Sequence, residues 1–286
     1  MSNFVILTDS CCDVQAEILA KWGVRAVQLD VLIDGEESRK NDEVDVKGFY
    51  DVLRCGKNAR TSAANIGDFR DFFLPFLQDG LDVLYLGFSA GLSTTCQSAQ
   101  IAADELKTVY PAREIVVLDT LCASLGQGLL VYMAVQKKKS GASLNETYTY
   151  TKELLPRLAH WFTVDDLMFL KRGGRVSGAV ALVGTMLGIK PILHVDDEGH
   201  LINMYKVRGR KAAIEAVAEK YGTMVADREA PVFISHGDCL EDAEILAGVL
   251  KERYGARVEM IDYVGPVIGA HSGPGTLALF YIGEKR

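Results

Sequence analysis

The chain has 286 residues, of which 49% are hydrophobic and 24% are charged, and its formal net charge is −7. This length and composition are typical of a globular protein with a large buried core and predict two domains. The negative net charge argues against a nucleic-acid-binding protein, because phosphate recognition needs a concentrated basic face.

The start of the sequence, its longest uncharged run and its cysteines together predict the cellular compartment. A strand is predicted from residue 4, with no basic segment or cleavage site before it, so we expect no signal peptide. The longest uncharged run, 176–189, is too short to span a bilayer. The six cysteines include no CxxC pair and no His at zinc-ligand spacing, so we expect reduced thiols, no metal site and a cytoplasmic protein.

The first half of the chain alternates predicted strands and helices. The strands are predicted at 4–9, 25–34, 83–86 and 114–120, and the helices at 13–23, 46–56, 67–80, after 93, and at 123–139. The acidic stretch 34–45 is predicted to be an exposed loop. This β-α-β order predicts an α/β domain over residues 1–156, with a doubly wound, mostly parallel sheet.

The pattern changes after Pro156. Strands are predicted at 161–165, 190–196, 200–207, 231–238, 257–265 and 277–283, and helices near 177–187, 209–227 and 239–254. Two of the strands, separated by residues 197–199, form a predicted hairpin. We therefore expect a second, α+β domain with a mixed sheet over residues 157–286.

A turn rich in hydroxyl groups separates the buried strand at 83–86 from the helix after it. It contains Ser89, Ser93, Thr94 and Thr95 but no Lys, Arg or His. Free backbone N–H groups and the helix dipole make such a turn suitable for an anion. The hydroxyls could therefore hold a ligand or attack one.

The residues around Ser89 match the nucleophile pattern GxSxG between a strand and a helix. His271 could complete a catalytic triad, with Asp238 or Asp242 as the acid, which would make the chain a serine hydrolase or thioesterase. However, a nucleophile elbow enters its helix directly after the serine, whereas here Ser93 is the better helix cap.

Two further polar segments are candidates for the same site. Thr61 and Ser62 precede a helix that is predicted to be capped near 65–67, and capping alone would explain them. His271 and Ser272 lie in a predicted tight loop with four glycines, whose backbone could approach a ligand closely.

The segment 169–193 combines a basic turn with an apolar helix. Lys171, Arg172 and Arg175 surround a Gly-Gly pair that could hold a phosphate or dock an acidic partner, or simply be solvated. The predicted helix after it is either fully buried or lines an apolar ligand cavity along one flank.

These segments together resemble the DegV family, the fatty-acid-binding proteins that serve as the acyl-carrying subunit of bacterial fatty acid kinase. The resemblance runs nearly end to end. It rests on the order of ILTDS (6–10), the TS pair (61–62), LSTTCQSA (92–99), LDTLCASLGQG (118–128), FLKRGGRVS (169–177), GIKPIL (188–193), KVRGRKAAI (206–214), ISHGD (234–238) and VIGAHSGPGTLALFYIG (267–283).

The resemblance implies a non-enzymatic carrier in phospholipid synthesis that binds a long-chain fatty acid between its domains and needs no cofactor. The implied carboxylate-binding residues are Thr61, Ser62, Ser93, Thr94, His271 and Ser272. The implied acyl tunnel includes Phe88, Leu182, Met186, Leu187 and Ile268. Arg172 would face the kinase or the head group.

The implied partners are the catalytic subunit of a fatty acid kinase, which phosphorylates the bound acid, and an acyltransferase that receives the acyl phosphate. Membrane contact would be at most transient. A hydrolase that uses Ser89 and His271 remains the alternative from another class, and a small-molecule sensor is a third.

The chain departs from the family at two places. It has TSAAN (61–65) where the family usually has TSQPS, and Ser93-Thr94-Thr95-Cys96 where the family usually has SGTY. Thr94 in place of Gly tightens the turn, and the loss of Gln and Tyr removes polar partners. Both changes bear on the choice of ligand.

Overall fold

The structure, a computed structural model, describes residues 3–177 and 188–286. The strands are β1 Phe4–Asp9, β2 Arg25–Val27, β3 Asp30–Ile33, β4 Arg39–Lys40, β5 Ala59–Ser62, β6 Asp82–Gly87, β7 Ile115–Asp119, β8 Leu158–Thr163, β9 Val176–Ser177, β10 Ile189–Val195, β11 Leu201–Arg208, β12 Pro231–His236, β13 Arg257–Tyr263 and β14 Leu277–Ile282. The helices are α1 Ala16–Trp22, α2 Val46–Arg54, α3 Ile66–Gln78, α4 Thr95–Val109, α5 Leu125–Lys139, α6 Leu144–Leu154, α7 Leu167–Gly173, α8 Arg210–Met224, α9 Leu240–Tyr254 and α10 Pro266–Ser272.

The first half of the chain builds a parallel sheet, sheet A, with the strand order β2-β1-β6-β7. All six residues of β1 are buried, as are five of the six in β6. Burial on both faces explains why these strands are nearly continuous apolar runs. The predicted doubly wound α/β architecture is confirmed.

The predicted strand at 25–34 is wrong in one respect, because it is two strands in different sheets. Residues 25–27 pair with β1 in sheet A, whereas 30–33 join a small antiparallel sheet, sheet B, of order β4-β3-β5. At the break, the amide of Leu29 donates to Oγ of Ser10 at 3.1 Å, so the chain leaves the edge of sheet A there. The predicted acidic loop likewise contains β4 and a short 3₁₀ turn, Asn41–Glu43.

The second half builds a mixed sheet, sheet C, with the order β13-β12-β14-β8-β10-β11-β9 within the described residues. The predicted hairpin is confirmed as the antiparallel pair β10 and β11. Helices α8 and α9 cover the outer face of this sheet and enclose a core of their own. The predicted helix near 177–187 lies outside the described residues, except for residue 177, which ends β9.

Helix α5 occupies the centre of the molecule. It packs against β1 and β6 of sheet A on one side and against β8, β12 and β14 of sheet C on the other. Gly126 and Gly128 make this close packing possible, since a Cβ at either position would overlap a neighbour: His160 and Phe280 at Gly126, and the backbone of Cys12 at Gly128. The two halves of the chain therefore share one continuous core.

Helices α6 and α7 were not predicted from the sequence. Helix α6 begins at a capping box in which Ser143 and Glu146 bond to each other's backbone N–H groups. Helix α7 includes Lys171 and Arg172, which the sequence placed around a turn. Among the described residues, no helix is long and apolar enough to cross a membrane.

The contact at Gly126 gives a stability prediction. Gly126→Ala should lower the free energy of unfolding by about 1–3 kcal/mol, because the new methyl group overlaps the His160 ring in a packed interior. Gly248→Ala in α9 is the matched control, since a Cβ there meets nothing within 4 Å and alanine favours the helix. Urea denaturation of both variants measures the difference, and an equally stable Gly126→Ala variant would contradict the packing described.

Candidate functional site

A cavity of about 560 Å³ lies between sheet A and sheet C. Its walls come from the loops after β6 and β7, from the inner face of sheet C, and from α10. The largely apolar part is lined by Leu29, Ala63, Phe88, Leu92, Ala123, Phe162, Leu170, Val195, Leu201, Val264, Val267, Ile268, Ala278 and Phe280. Its volume is in the range of ligand sites, about 300–1,000 Å³.

Polar groups collect at one part of the cavity wall. Thr61 on β5 and His271 on α10, 210 residues apart, are joined by a hydrogen bond of 2.8 Å between Oγ1 and Nε2. Ser272 is also buried on this wall, and its hydroxyl has no hydrogen-bond partner within residues 3–177 and 188–286. The structure thus brings together Thr61, His271 and Ser272, which the sequence singled out separately.

Two details of these segments differ from the predictions. Thr61 and Ser62 lie on a strand and not in a loop, so their side chains point to opposite faces. Thr61 lines the cavity, whereas Ser62 is exposed and does not, which corrects its place in the predicted cradle. His271 and Ser272 end a helix, α10, in place of the predicted loop.

The hydroxyl-rich turn contributes a second part of this wall. Ser93 and Thr94 both line the cavity. Thr94 is the backbone cap of α4, one residue after the predicted cap, but Oγ of Ser93 still accepts a hydrogen bond from the Thr95 amide at 3.3 Å. Oγ of Ser93 also lies 2.8 Å from Oγ1 of Thr95.

Ser89 has a different role from the one that a nucleophile would need. It is fully buried, its hydroxyl donates to the carbonyl of Gly199 at 2.9 Å, and it accepts from the Gly91 amide at 3.2 Å. The predicted acids are also engaged elsewhere, Asp238 with Arg54 and Asp242 with Arg210. Because His271 bonds Thr61, this geometry does not assemble the triad of a serine hydrolase.

Arg175 is the site residue that sequence reasoning missed as a part of the cavity. Its Nε donates to the carbonyl of Leu92 at 3.3 Å, and its Nη1 donates to the carbonyl of Gly173. Arg175 therefore places a positive charge beside the hydroxyl-rich turn, which contains no Lys, Arg or His itself. The basic cluster at 171–175 is the feature of the sequence that could have indicated a cation at this site. Nothing in the neighbouring residues shows which of its side chains points into the cavity.

A second cleft, of about 490 Å³, adjoins the cavity and shares Thr61, Arg175 and His271 with it. Arg172 lies on this cleft and not in the cavity. Its side chain is exposed, with the guanidinium 4.6 Å from the centre of the Phe169 ring. This cleft is where the polar wall of the cavity meets the protein surface.

The predicted tunnel residues divide into two groups. Phe88 and Ile268 line the cavity. Leu182, Met186 and Leu187 lie outside the described residues. The inner face of sheet C supplies the rest of the wall, including His160 and Ser235, which no local pattern marked because the strand register brings them there.

Burial determines the charge of His271. The pKa of its imidazole is lowered to about 4, first by burial and then by the positive charge of Arg175. The ring is therefore neutral at pH 7, and the polar wall consists of hydroxyls, a neutral imidazole and one cation. Among the described residues there is no cluster of side chains that could hold a metal ion.

The fold and the site define an α/β protein with a ligand-sized apolar cavity between two sheets and a polar wall beside it. The model of the DegV family of uncharacterised proteins matches residues 3–284, and the chain belongs to this family. A DegV domain-containing protein of Clostridium perfringens is 42% identical, over 100% of this chain and 99% of that protein.

Two solved structures share the whole fold. A DegV lipid-binding protein from Thermotoga maritima is 30% identical, with a TM-score of 0.87 and coverage of 100% of both chains. A fatty-acid-binding DegV family protein from Thermus thermophilus is also 30% identical, with a TM-score of 0.88, over 98% of this chain and 99% of that chain.

The neighbouring cation makes the His271 titration testable. Arg175→Ala should raise the pKa of His271 from about 4, because a positive charge that opposes protonation is removed. NMR titration of the imidazole measures it. Lys171→Ala, an exposed cation of the same cluster, is the control and should leave the titration where it is; an unchanged curve in Arg175→Ala would contradict the electrostatic cause.

Proposed function

We propose that this chain is a non-enzymatic carrier of a long-chain fatty acid. The observation that carries the proposal is the apolar cavity with hydroxyls and a neutral imidazole on one wall, in a family whose solved members include a fatty-acid-binding protein. The acyl chain would occupy the apolar part. The carboxylate would meet Thr61, Ser93, Thr94, His271 and Ser272.

Two physical arguments support this assignment. Each CH₂ group that leaves water contributes about 0.8 kcal/mol, so a long alkyl chain supplies the affinity. Hydroxyl donors then hold the head group without the two parallel hydrogen bonds by which a guanidinium covers both carboxylate oxygens. Arg175, the cation beside that wall, already donates to two backbone carbonyls, those of Leu92 and Gly173.

Binding would also present the fatty acid to a second protein. A carboxylate at the polar wall would lie next to the second cleft, which Arg60 and Arg172 also line. We propose that a separate ATP-dependent kinase docks there, phosphorylates the bound acid, and leaves the acyl phosphate for an acyltransferase. Residues 1–156 and 157–286 would be the two domains on either side of the ligand.

Extraction of the purified protein is the direct test of the bound ligand. Organic extraction and mass spectrometry should recover about one fatty acid for each chain. The competing outcome is a protein that carries no lipid and hydrolyses acyl esters. That outcome would replace the carrier with a hydrolase.

A pair of serine variants tests the polar wall itself. Ser93→Ala should weaken fatty-acid binding about tenfold or more, because a hydrogen bond to a charged group contributes about 1.5–3 kcal/mol. Ser89→Ala is the matched control, since its hydroxyl is already bonded to Gly199 and does not face the ligand. A larger loss in Ser89→Ala, measured by competition with a fluorescent fatty acid, would favour the nucleophile.

The docking role of Arg172 needs a kinetic readout. With the kinase present, Arg172→Ala should raise the KM for the loaded carrier while fatty-acid binding stays unchanged, because the side chain is exposed and lines only the outer cleft. Arg70→Ala, an exposed arginine on α3 that pairs with Glu105, is the control. Equal KM values for the two variants would remove Arg172 from the docking surface.

A further inference from the structure

One buried carboxyl group beside the cavity takes no part in the polar wall. Asp13 directly follows a short 3₁₀ turn, Ser10–Cys12, and is 8% exposed. Its Oδ2 accepts a hydrogen bond from the Ser124 hydroxyl at 2.6 Å, and that hydroxyl lies 3.0 Å from the hydroxyl of Ser235. Ser124 and Ser235 both line the cavity. Asp13 is therefore separated from the cavity wall by a single hydroxyl group.

The contacts of Asp13 favour the neutral acid over the carboxylate ion. Its Oδ1 faces the backbone of Gly265, where an added Cβ would lie 2.6 Å away, and has no hydrogen bond of normal geometry within the described residues. Asp13 forms no ion pair in that part of the chain either. A buried carboxylate needs several donors or a cation to replace its hydration, and the hydroxyl of Ser124 is a single donor.

The acidic groups around Asp13 act in the same direction as its burial. Burial raises the pKa of Asp13 to about 8 against the hydrogen bond from Ser124, and the charges of Asp262 on β13 and Asp9 on β1 raise it further. The other titratable neighbours are the thiols of its own turn and the phenol of α2, all with raised pKa values: Cys11, Cys12 and Tyr50. These three groups stay uncharged while Asp13 titrates.

The basic groups nearest this cluster do not neutralise it. His236 on β12 lies near Asp262, but burial lowers the pKa of its imidazole, so the ring is neutral at pH 7. Arg54, on the other side of Tyr50, pairs with Asp238. Asp13 is thus protonated at neutral pH and ionises as the pH rises through about 8.

The polar wall is close enough for a charge bound there to act on Asp13. Gly265, which touches Asp13, comes directly before α10, and His271 is six residues later. A helix rises about 1.5 Å per residue, so a carboxylate beside His271 would lie roughly 10 Å from Asp13. At that distance and an effective dielectric constant of about 20, two negative charges change an equilibrium constant roughly tenfold.

We propose that fatty-acid binding is linked to the protonation of Asp13, so that the chain holds its ligand most tightly while Asp13 is neutral and more weakly once Asp13 is ionised. This inference rests on the proposed function, because the carboxylate of the fatty acid supplies the charge to which Asp13 responds.

The direction of the effect follows from the like charges. A bound carboxylate opposes the ionisation of Asp13 and therefore raises its pKa. By linkage, an ionised Asp13 lowers the affinity for the carboxylate by the same factor. Affinity should be highest below about pH 8 and should fall above it.

The test measures the affinity for oleic acid from pH 7 to pH 10, by competition with a fluorescent fatty acid. The affinity of the native protein should fall roughly tenfold over this range. Asp13→Asn keeps the size of the side chain but cannot ionise, so its affinity should stay constant. A constant affinity in the native protein, or an equal fall in Asp13→Asn, would overturn the linkage.

Two controls exclude other sources of a pH effect. Asp71→Asn, which changes an exposed acid on α3, should show the same fall as the native protein. His271 has a pKa of about 4 and is already neutral at the start of the range, so it is not the group that titrates there. A fall that disappears in Asp71→Asn as well would contradict the assignment to Asp13.

The native protein offers a readout that needs no variant at Asp13. The carboxyl ¹³C resonance of Asp13 should titrate with a midpoint near pH 8, and saturation with oleic acid should move this midpoint upward. A midpoint that oleic acid does not move would overturn the linkage and leave the fatty-acid carrier intact. Binding of no fatty acid at any pH would overturn the carrier together with the inference.

Discussion

The close packing of helix α5 between two sheets determines how the two halves of the chain meet. Sheet A and sheet C come from different halves of the chain, yet both bury a face against this helix, and Gly126 and Gly128 allow the approach. The cavity lies where the sheets continue past the start of α5. Ala123 and Ser124, just before the helix, form part of its wall. The cavity is thus a consequence of how the halves meet.

Hydrogen bonds between the halves then define the shape of this site. Ser89 joins the hydroxyl-rich turn to the β10–β11 hairpin through Gly199. Tyr50 on α2 donates to the carbonyl of Val264 at 2.7 Å, just before α10. These contacts hold the turn and α10 in place from opposite halves, so the polar wall is preorganised. Such rigidity lowers the cost of ordering these groups when a ligand binds.

Positive charge increases from the cavity toward the outer cleft. The imidazole of His271 is neutral, the hydroxyls are uncharged, and Arg175 is held by backbone carbonyls at the boundary with the outer cleft. The exposed guanidiniums of Arg60 and Arg172 lie farther out. A carboxylate bound at the polar wall would face these cations and would still be open to the outer cleft.

Local signals in the sequence were enough to predict the fold class, the parallel sheet, the hairpin and three of the polar segments, because strand burial, glycine turns and helix caps involve neighbouring residues. They also placed Thr61, Ser93, Thr94, His271 and Ser272 among the candidates. The folded chain was needed to show that Ser62 points away, that Ser89 bonds Gly199, and that Arg175, not Arg172, lines the cavity. The first outcome depends on residues 59–62 joining a sheet in place of the predicted loop. The other two depend on contacts between segments about 80 to 110 residues apart, Ser89 with Gly199 and Arg175 with Leu92, which neighbouring residues do not reveal.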